Sequence, residues 1–148
     1  MRKIELLVVH SSGHSTTSTV GAIEINDLHL SIGDPGLPYH AVIRRDGVVE
    51  RGLRDEVVGR ASPGFDEKAL HVCLVGGLSS TETFRGAKKP APEYTDRQLS
   101  SLRELIGHWR SLHPGCGIIS AYKLDRRRKS PCFDVAAWYV SGEIMSSV

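Results

Sequence analysis

Ile4-Glu5-Leu6-Leu7-Val8-Val9-His10-Ser11-Ser12-Gly13 is the stretch on which the fold turns. The run up to Val9 is almost wholly apolar, ends on a histidine and is followed at once by turn residues. That is the pattern of a strand buried on both faces. Such strands sit in sheets with helices on either side, and open α/β sheets place ligands just beyond their strand ends. His10 is therefore a candidate site residue. The plainer reading of the same position is a histidine that simply begins a loop.

Working outward, Ala69-Leu70-His71-Val72-Cys73-Leu74-Val75-Gly76-Gly77 repeats the apolar pattern and implies a sheet covered on both faces. Tyr39 to Arg45 and Val48 to Gly52 flank Asp46-Gly47, the strongest short-range hairpin signal. Val20, Ile23, Leu28 and Ile32 have loosely helical spacing before Gly33-Asp34-Pro35-Gly36 and predict a helix over 20–32. Leu78 to Glu93, with Gly86, Lys88-Lys89, Pro90 and Pro92, reads as an exposed, mobile connection. Thr95-Asp96-Arg97-Gln98 forms a capping box, and Leu99, Leu102, Leu105, Ile106, Trp109 and Leu112 continue it as one apolar stripe. Pro114-Gly115 stops that helix. Ile118 to Tyr122 predicts a short strand, Arg126-Arg127-Arg128-Lys129 a basic loop, and Asp134 to Ile144 a last helix carrying Val135, Trp138 and Tyr139. The expected fold class is α/β, a single domain over 1–148 with a mixed central β-sheet flanked by helices.

Composition limits the function. A chain of 148 residues buries roughly 70% of its unfolded surface and needs neither disulfide nor metal to fold. Its net charge of +2 demands neither nucleic acid nor membrane, and the basic residues lack the interleaved aromatics of a nucleic-acid surface. No apolar run reaches the length of a membrane span, and Met1-Arg2-Lys3 leads into a strand without a signal-peptide pattern, so a cytoplasmic location is expected. Cys73, Cys116 and Cys132 form no CxxC pair. Cys73 reads as a small buried hydrophobe, and free thiols suit a cytosolic protein.

Four phrases then occur in order: Val9-His10-Ser11-Ser12, Tyr39-His40-Ala41-Val42-Ile43-Arg44-Arg45-Asp46-Gly47, Val72-Cys73-Leu74-Val75-Gly76-Gly77 and Ser130-Pro131-Cys132-Phe133-Asp134. Together they resemble the zinc-dependent N-acetylmuramoyl-L-alanine amidases of the phage-lysozyme and peptidoglycan-recognition-protein family. The resemblance implies a zinc held by two histidines and a cysteine, with a water at the open fourth position attacking the amide between N-acetylmuramic acid and L-alanine. A tyrosine and a lysine assist at the oxyanion.

Carried over position by position, the first histidine ligand falls on His10 and the tyrosine on Tyr39, both present. The second histidine falls on Tyr122, the cysteine on Ser130 and the lysine on Arg128. A further histidine of the middle loop falls at Arg60-Ala61. A serine hydroxyl stays protonated near neutral pH, and tyrosine, with an ordinary pKa of about 10, is an uncommon zinc ligand. The expectation is that no cofactor is held and that no residue is catalytic. His10, Tyr39, Arg60, Tyr122, Arg128 and Ser130 would then line an anion-friendly binding pocket, since guanidinium groups pair with carboxylate or phosphate. Against this stands the plain reading of the basic run as a solvated loop.

Three classes of function follow: a pseudoenzyme that binds muropeptide, a phage-type protein that binds a host protein or small anionic ligand, and an active amidase with a zinc site rebuilt through Cys132 or another histidine.

Overall fold

The computed structural model describes residues 2–148. The apolar runs do become strands, and five of them form one sheet in the order β3-β2-β4-β1-β7. These are β1 (Leu6–Ser11), β2 (Ala41–Ile43), β3 (Val49–Arg51), β4 (Ala69–Leu74) and β7 (Gly117–Ser120). Strand β1 lies between β4 and β7, parallel to both, and β2 runs parallel to β4 on its far side. Only β3, returned by the Asp46-Gly47 turn, is antiparallel. The parallel strands therefore end together, and the loops after β1, β4 and β7 gather at one end of the sheet, where such sheets hold ligands.

Side chains alternate across a strand, so the sheet has two distinct faces. Leu7 and Val9, Ala41 and Ile43, and Leu70, Val72 and Leu74 face one way and pack in one core with Leu102, Ile106 and Trp109. These last belong to α2 (Asp96–Leu112), the amphipathic helix expected from the sequence. Its capping box forms as predicted: Thr95 Oγ1 accepts from the Gln98 amide at 3.0 Å, and Gln98 Oε1 accepts from the Thr95 amide at 3.1 Å. Gln98 is fully buried because it also serves the sheet, with Nε2 donating to the carbonyls of Ile43 and Val75. Helix α4 (Val135–Ser141), capped by Asp134, adds Val135 and Trp138 to this core.

On the opposite face lie Val42, Cys73 and Val75, packed with Ile25 of α1 (Ala22–Ser31), and a smaller cluster of Val8, Ala69 and Ala121. The alternation that sends Val72 to the first face sends His71 to this one, together with His10 and His40.

Three expectations need correction. Helix α1 packs through Ile25, whereas Ile23, Leu28 and Ile32 are exposed, so the loose apolar spacing marked the outer face. The segment after Gly77 is a two-stranded antiparallel sheet, β5 (Leu78–Phe84) with β6 (Ala87–Pro90). Arg85 and Gly86 both have positive φ at its turn, as tight hairpins require. Its strands were hidden because they are polar and exposed nearly throughout, which leaves no apolar alternation to read. Finally, β7 stops at Ser120, and Ala121 and Tyr122 open the short helix α3 (Ala121–Leu124). Among the described residues no helix is long and apolar enough to cross a membrane.

Candidate functional site

His10 is not the start of a loop. It occupies the penultimate position of β1, 1% exposed, with its ring between those of Tyr39 and His71 at centroid distances of 5.2 and 5.0 Å. Its Nε2 lies 2.8 Å from Nδ1 of His71. Nε2 of His71 lies in turn 2.8 Å from Oδ1 of Asp66, which also accepts the amides of Ala61 and Ser62 at 3.1 and 2.8 Å. A buried polar chain thus runs from a carboxylate in the loop before β4, across that strand, to the end of β1. Behind it, His40 Nδ1 accepts the His71 amide at 3.0 Å while His40 Nε2 lies 2.7 Å from the Val57 carbonyl.

Burial governs the charges here. It pushes His10 well below the ordinary histidine value, helped by His71 and by Arg128. It pushes His71 down to about 4 although Asp66 opposes it. Both rings are therefore neutral at pH 7. The Tyr39 phenol is raised, first by burial and then by the Cys73 thiol, so it acts as a neutral donor.

The loop from Asp125 to Pro131 brings the remaining positions to the same end of the sheet. The Ser11 amide donates to Ser130 Oγ at 2.6 Å, and the Tyr122 amide donates to the Ser130 carbonyl at 2.8 Å. Ser130 thereby ties the residue after His10 to the first turn of α3. Arg128 Nη1 donates to the Ala61 carbonyl at 2.6 Å, bridging to the loop that carries Asp66. Beside these residues opens a cleft of about 910 Å³, lined by Tyr122, Lys123, Arg126, Arg128 and Lys129 and, from the β5–β6 hairpin, by Lys89 and Glu82. Lys123 pairs with Asp134 and Lys89 with Glu82, whereas Arg126 and Lys129 make no ion pair among the described residues. The basic run is thus the wall of a cleft and not merely a solvated loop.

Arg60 is the exception. Its guanidinium is spent on the carbonyls of Gly36 and Leu37, and it lines a separate recess beside α1. Five of the six sequence candidates gather at one end of the sheet, and Arg60 does not. Conversely, Asp66 has no place among the sequence candidates, and His71 enters only among the histidines through which a metal site could be rebuilt. The available signal was a histidine interrupting an otherwise apolar strand.

A model of the family described as N-acetylmuramoyl-L-alanine amidase matches residues 1–131. The chain belongs to the N-acetylmuramoyl-L-alanine amidase family. Among curated relatives, the endolysin of Enterobacteria phage K11 is 32% identical over 139 residues, 94% of this chain and 87% of that protein. Among solved structures, Drosophila PGRP-LB superposes with a TM-score of 0.74 at 17% identity, covering 95% of this chain and 82% of that one. Human PGRP-IBETAC, in complex with glycosamyl muramyl pentapeptide, superposes with a TM-score of 0.67 at 17% identity, over 88% and 79% of the two chains.

Amidases of this kind imply a catalytic zinc, and the donors present do not fit one. At the three positions that the resemblance assigns stand an imidazole with only Nδ1 uncommitted, a phenol and an alcohol that already accepts a backbone amide. None brings the negative charge that a thiolate supplies. Cys132 offers no replacement: its buried Sγ lies 3.8 Å from the Gly77 carbonyl, and burial pushes the thiol up to about 11. Among the described residues no three His, Cys, Asp or Glu side chains are grouped to hold a metal ion.

Proposed function

We propose that this amidase-family protein, of phage lineage, binds a peptidoglycan fragment in the cleft beside His10 without cleaving it by zinc chemistry. The observation that carries the reading is the wall of the cleft. Lys89, Lys123, Arg126, Arg128 and Lys129 face a single Glu82, next to family ligand positions occupied by Tyr122 and Ser130. Muropeptides carry carboxylates on their peptide stems, and the unpaired Arg126 and Lys129 supply the complementary charge. Tyr122 offers an aromatic face for the sugar or peptide backbone. The likeness to a muramyl-pentapeptide complex of human PGRP-IBETAC and the identity with a phage endolysin support the ligand class and the lineage. Without a metal at these positions a water keeps its ordinary, very high pKa, and the scissile amide is not polarised.

Elemental analysis of the purified protein, cell-wall digestion and calorimetric titration with N-acetylmuramoyl-L-alanyl-D-isoglutamine test the reading together. The expected result is no stoichiometric zinc, no release of L-alanine termini, and binding that weakens severalfold in an Arg126→Ala, Lys129→Ala double variant and at raised salt. Stoichiometric zinc with wall digestion would overturn it.

A further inference from the structure

The hydrogen-bond chain that ends at His10 has a direction, and the direction follows from its anchored end. Oδ1 of Asp66 is an acceptor already taken up by two backbone amides, so His71 must present it with Nε2–H. A neutral imidazole has one donor and one acceptor, so Nδ1 of His71 carries the lone pair. His10 faces that lone pair at 2.8 Å and must bring Nε2–H to it. Its own Nδ1 is then bare. His40 does not compete for this chain, since its Nδ1 is occupied by the His71 backbone amide and its Nε2 faces the Val57 carbonyl.

The bare nitrogen is not wholly enclosed. Among the described residues Nδ1 of His10 has no hydrogen-bond partner, yet the one unpartnered side-chain nitrogen or oxygen that is wholly enclosed is Nε1 of Trp109. The small part of His10 that stays open therefore includes Nδ1. The groups around the ring sharpen its role: the Tyr39 ring lies at 5.2 Å, and the Arg128 side chain, which reaches Ala61, lies close enough to disfavour a charge on His10. The Arg128 guanidinium is a donor and a cation, and Nδ1 of His10 is the lone pair that the Asp66–His71 chain leaves free.

We propose that Asp66 and His71 lock His10 in its Nε2–H tautomer, so that Nδ1 is a fixed hydrogen-bond acceptor for an amide N–H or sugar hydroxyl of the bound fragment. This rests on the binding function proposed above. His10 touches the ligand, while His71 and Asp66 act as positioning residues through it. The consequence is selectivity by polarity: a fragment that places a carbonyl or carboxylate oxygen against Nδ1 is rejected, because two acceptors would meet without a proton between them.

Long-range ¹H–¹⁵N NMR of the imidazole rings tests this on the intact chain. In the ligand-free protein, His10 and His71 are both expected as Nε2–H tautomers with unprotonated Nδ1. Adding N-acetylmuramoyl-L-alanyl-D-isoglutamine should shift the His10 Nδ1 resonance in the direction of hydrogen-bond acceptance. The peptide L-alanyl-D-isoglutamine alone identifies the donor as a peptide amide if it produces the same shift, and as a group of the sugar if it does not. A His71→Leu variant should mix the His10 tautomers and weaken binding about tenfold. If that variant does not fold, the spectra of the unaltered protein decide. An Nδ1–H tautomer at His10 would overturn the proposal while leaving fragment binding intact, as would binding that leaves the Nδ1 resonance unmoved. Absence of binding with the expected tautomer would overturn the functional reading and, with it, the ligand contact.

Discussion

Nε2 of His10 and Nδ1 of His71 meet at 2.8 Å across two adjacent parallel strands, in a part of the sheet from which water is nearly excluded. Two buried neutral imidazoles make stability depend on pH in a definite sense. His71 is pushed down to about 4, and His10 also lies below its ordinary value, whereas in the unfolded chain both titrate near 6.5. Between those values the unfolded state binds more protons, so stability is fully present above about pH 6.5 and is lost as pH falls toward 4. Asp46, Asp125 and Asp134 are held below their usual range by hydrogen bonds and do not contribute until lower pH. Urea midpoints between pH 7.5 and 5 should therefore fall steadily. A flat profile over that interval would contradict a buried neutral pair.

Gly59 holds the other side of this pair. A Cβ added there would lie 2.7 Å from Cδ2 of His71 and 2.8 Å from the Pro38 carbonyl, closer than packed atoms approach. Gly59→Ala should cost about 1–3 kcal/mol through overpacking, measured by chemical denaturation. It should also displace the His71 ring, visible as a change in its imidazole resonances.

Thr95 and Gln98 share one capping box but not one role. Thr95→Ala should cost about 1 kcal/mol, the ordinary loss of an N-cap. Gln98→Ala should cost more, about 2–4 kcal/mol, because the carbonyls of Ile43 and Val75 lose a buried donor as well. Equal losses in the two variants would mean that Gln98 acts only as a cap.

Restoring the family's donors should restore its metal. Ser130 Oγ sits 2.6 Å from the amide of Ser11, so a sulfur there would stand at the end of β1, at the residue that follows His10. A Tyr122→His, Ser130→Cys double variant should take up zinc stoichiometrically, detected by elemental analysis, while the unaltered protein does not. A double variant that remains metal-free would place the fault in the geometry of the loop and not in its residue types.

The sheet was legible because β1 and β4 are apolar on both faces, and helix α2 because its stripe and capping box agree. The hairpin β5–β6 was not, since exposed polar strands carry no hydrophobic period. The outward face of α1 was misread because spacing marks a stripe without saying which neighbour covers it. At the site, His10, Tyr39 and Ser130 lie in the short phrases that carry the family resemblance, and Tyr122 and Arg128 follow from carrying the family's positions over. Arg60 was misplaced because a guanidinium in a loop is free to turn either way, and here it turns to the Gly36 and Leu37 carbonyls. His71 needed the strand register: only when β4 is set against β1 does alternation place it beneath His10.

The β5–β6 hairpin lends Lys89 and Glu82 to the cleft while burying, of its own two strands, only Ser79. Folding energy and the charge of the cleft are therefore stored in different parts of the chain. The length and charge of this arm can drift in descendants without disturbing the core, so, on the binding function proposed above, related proteins can diverge in the fragment they favour while keeping one common scaffold.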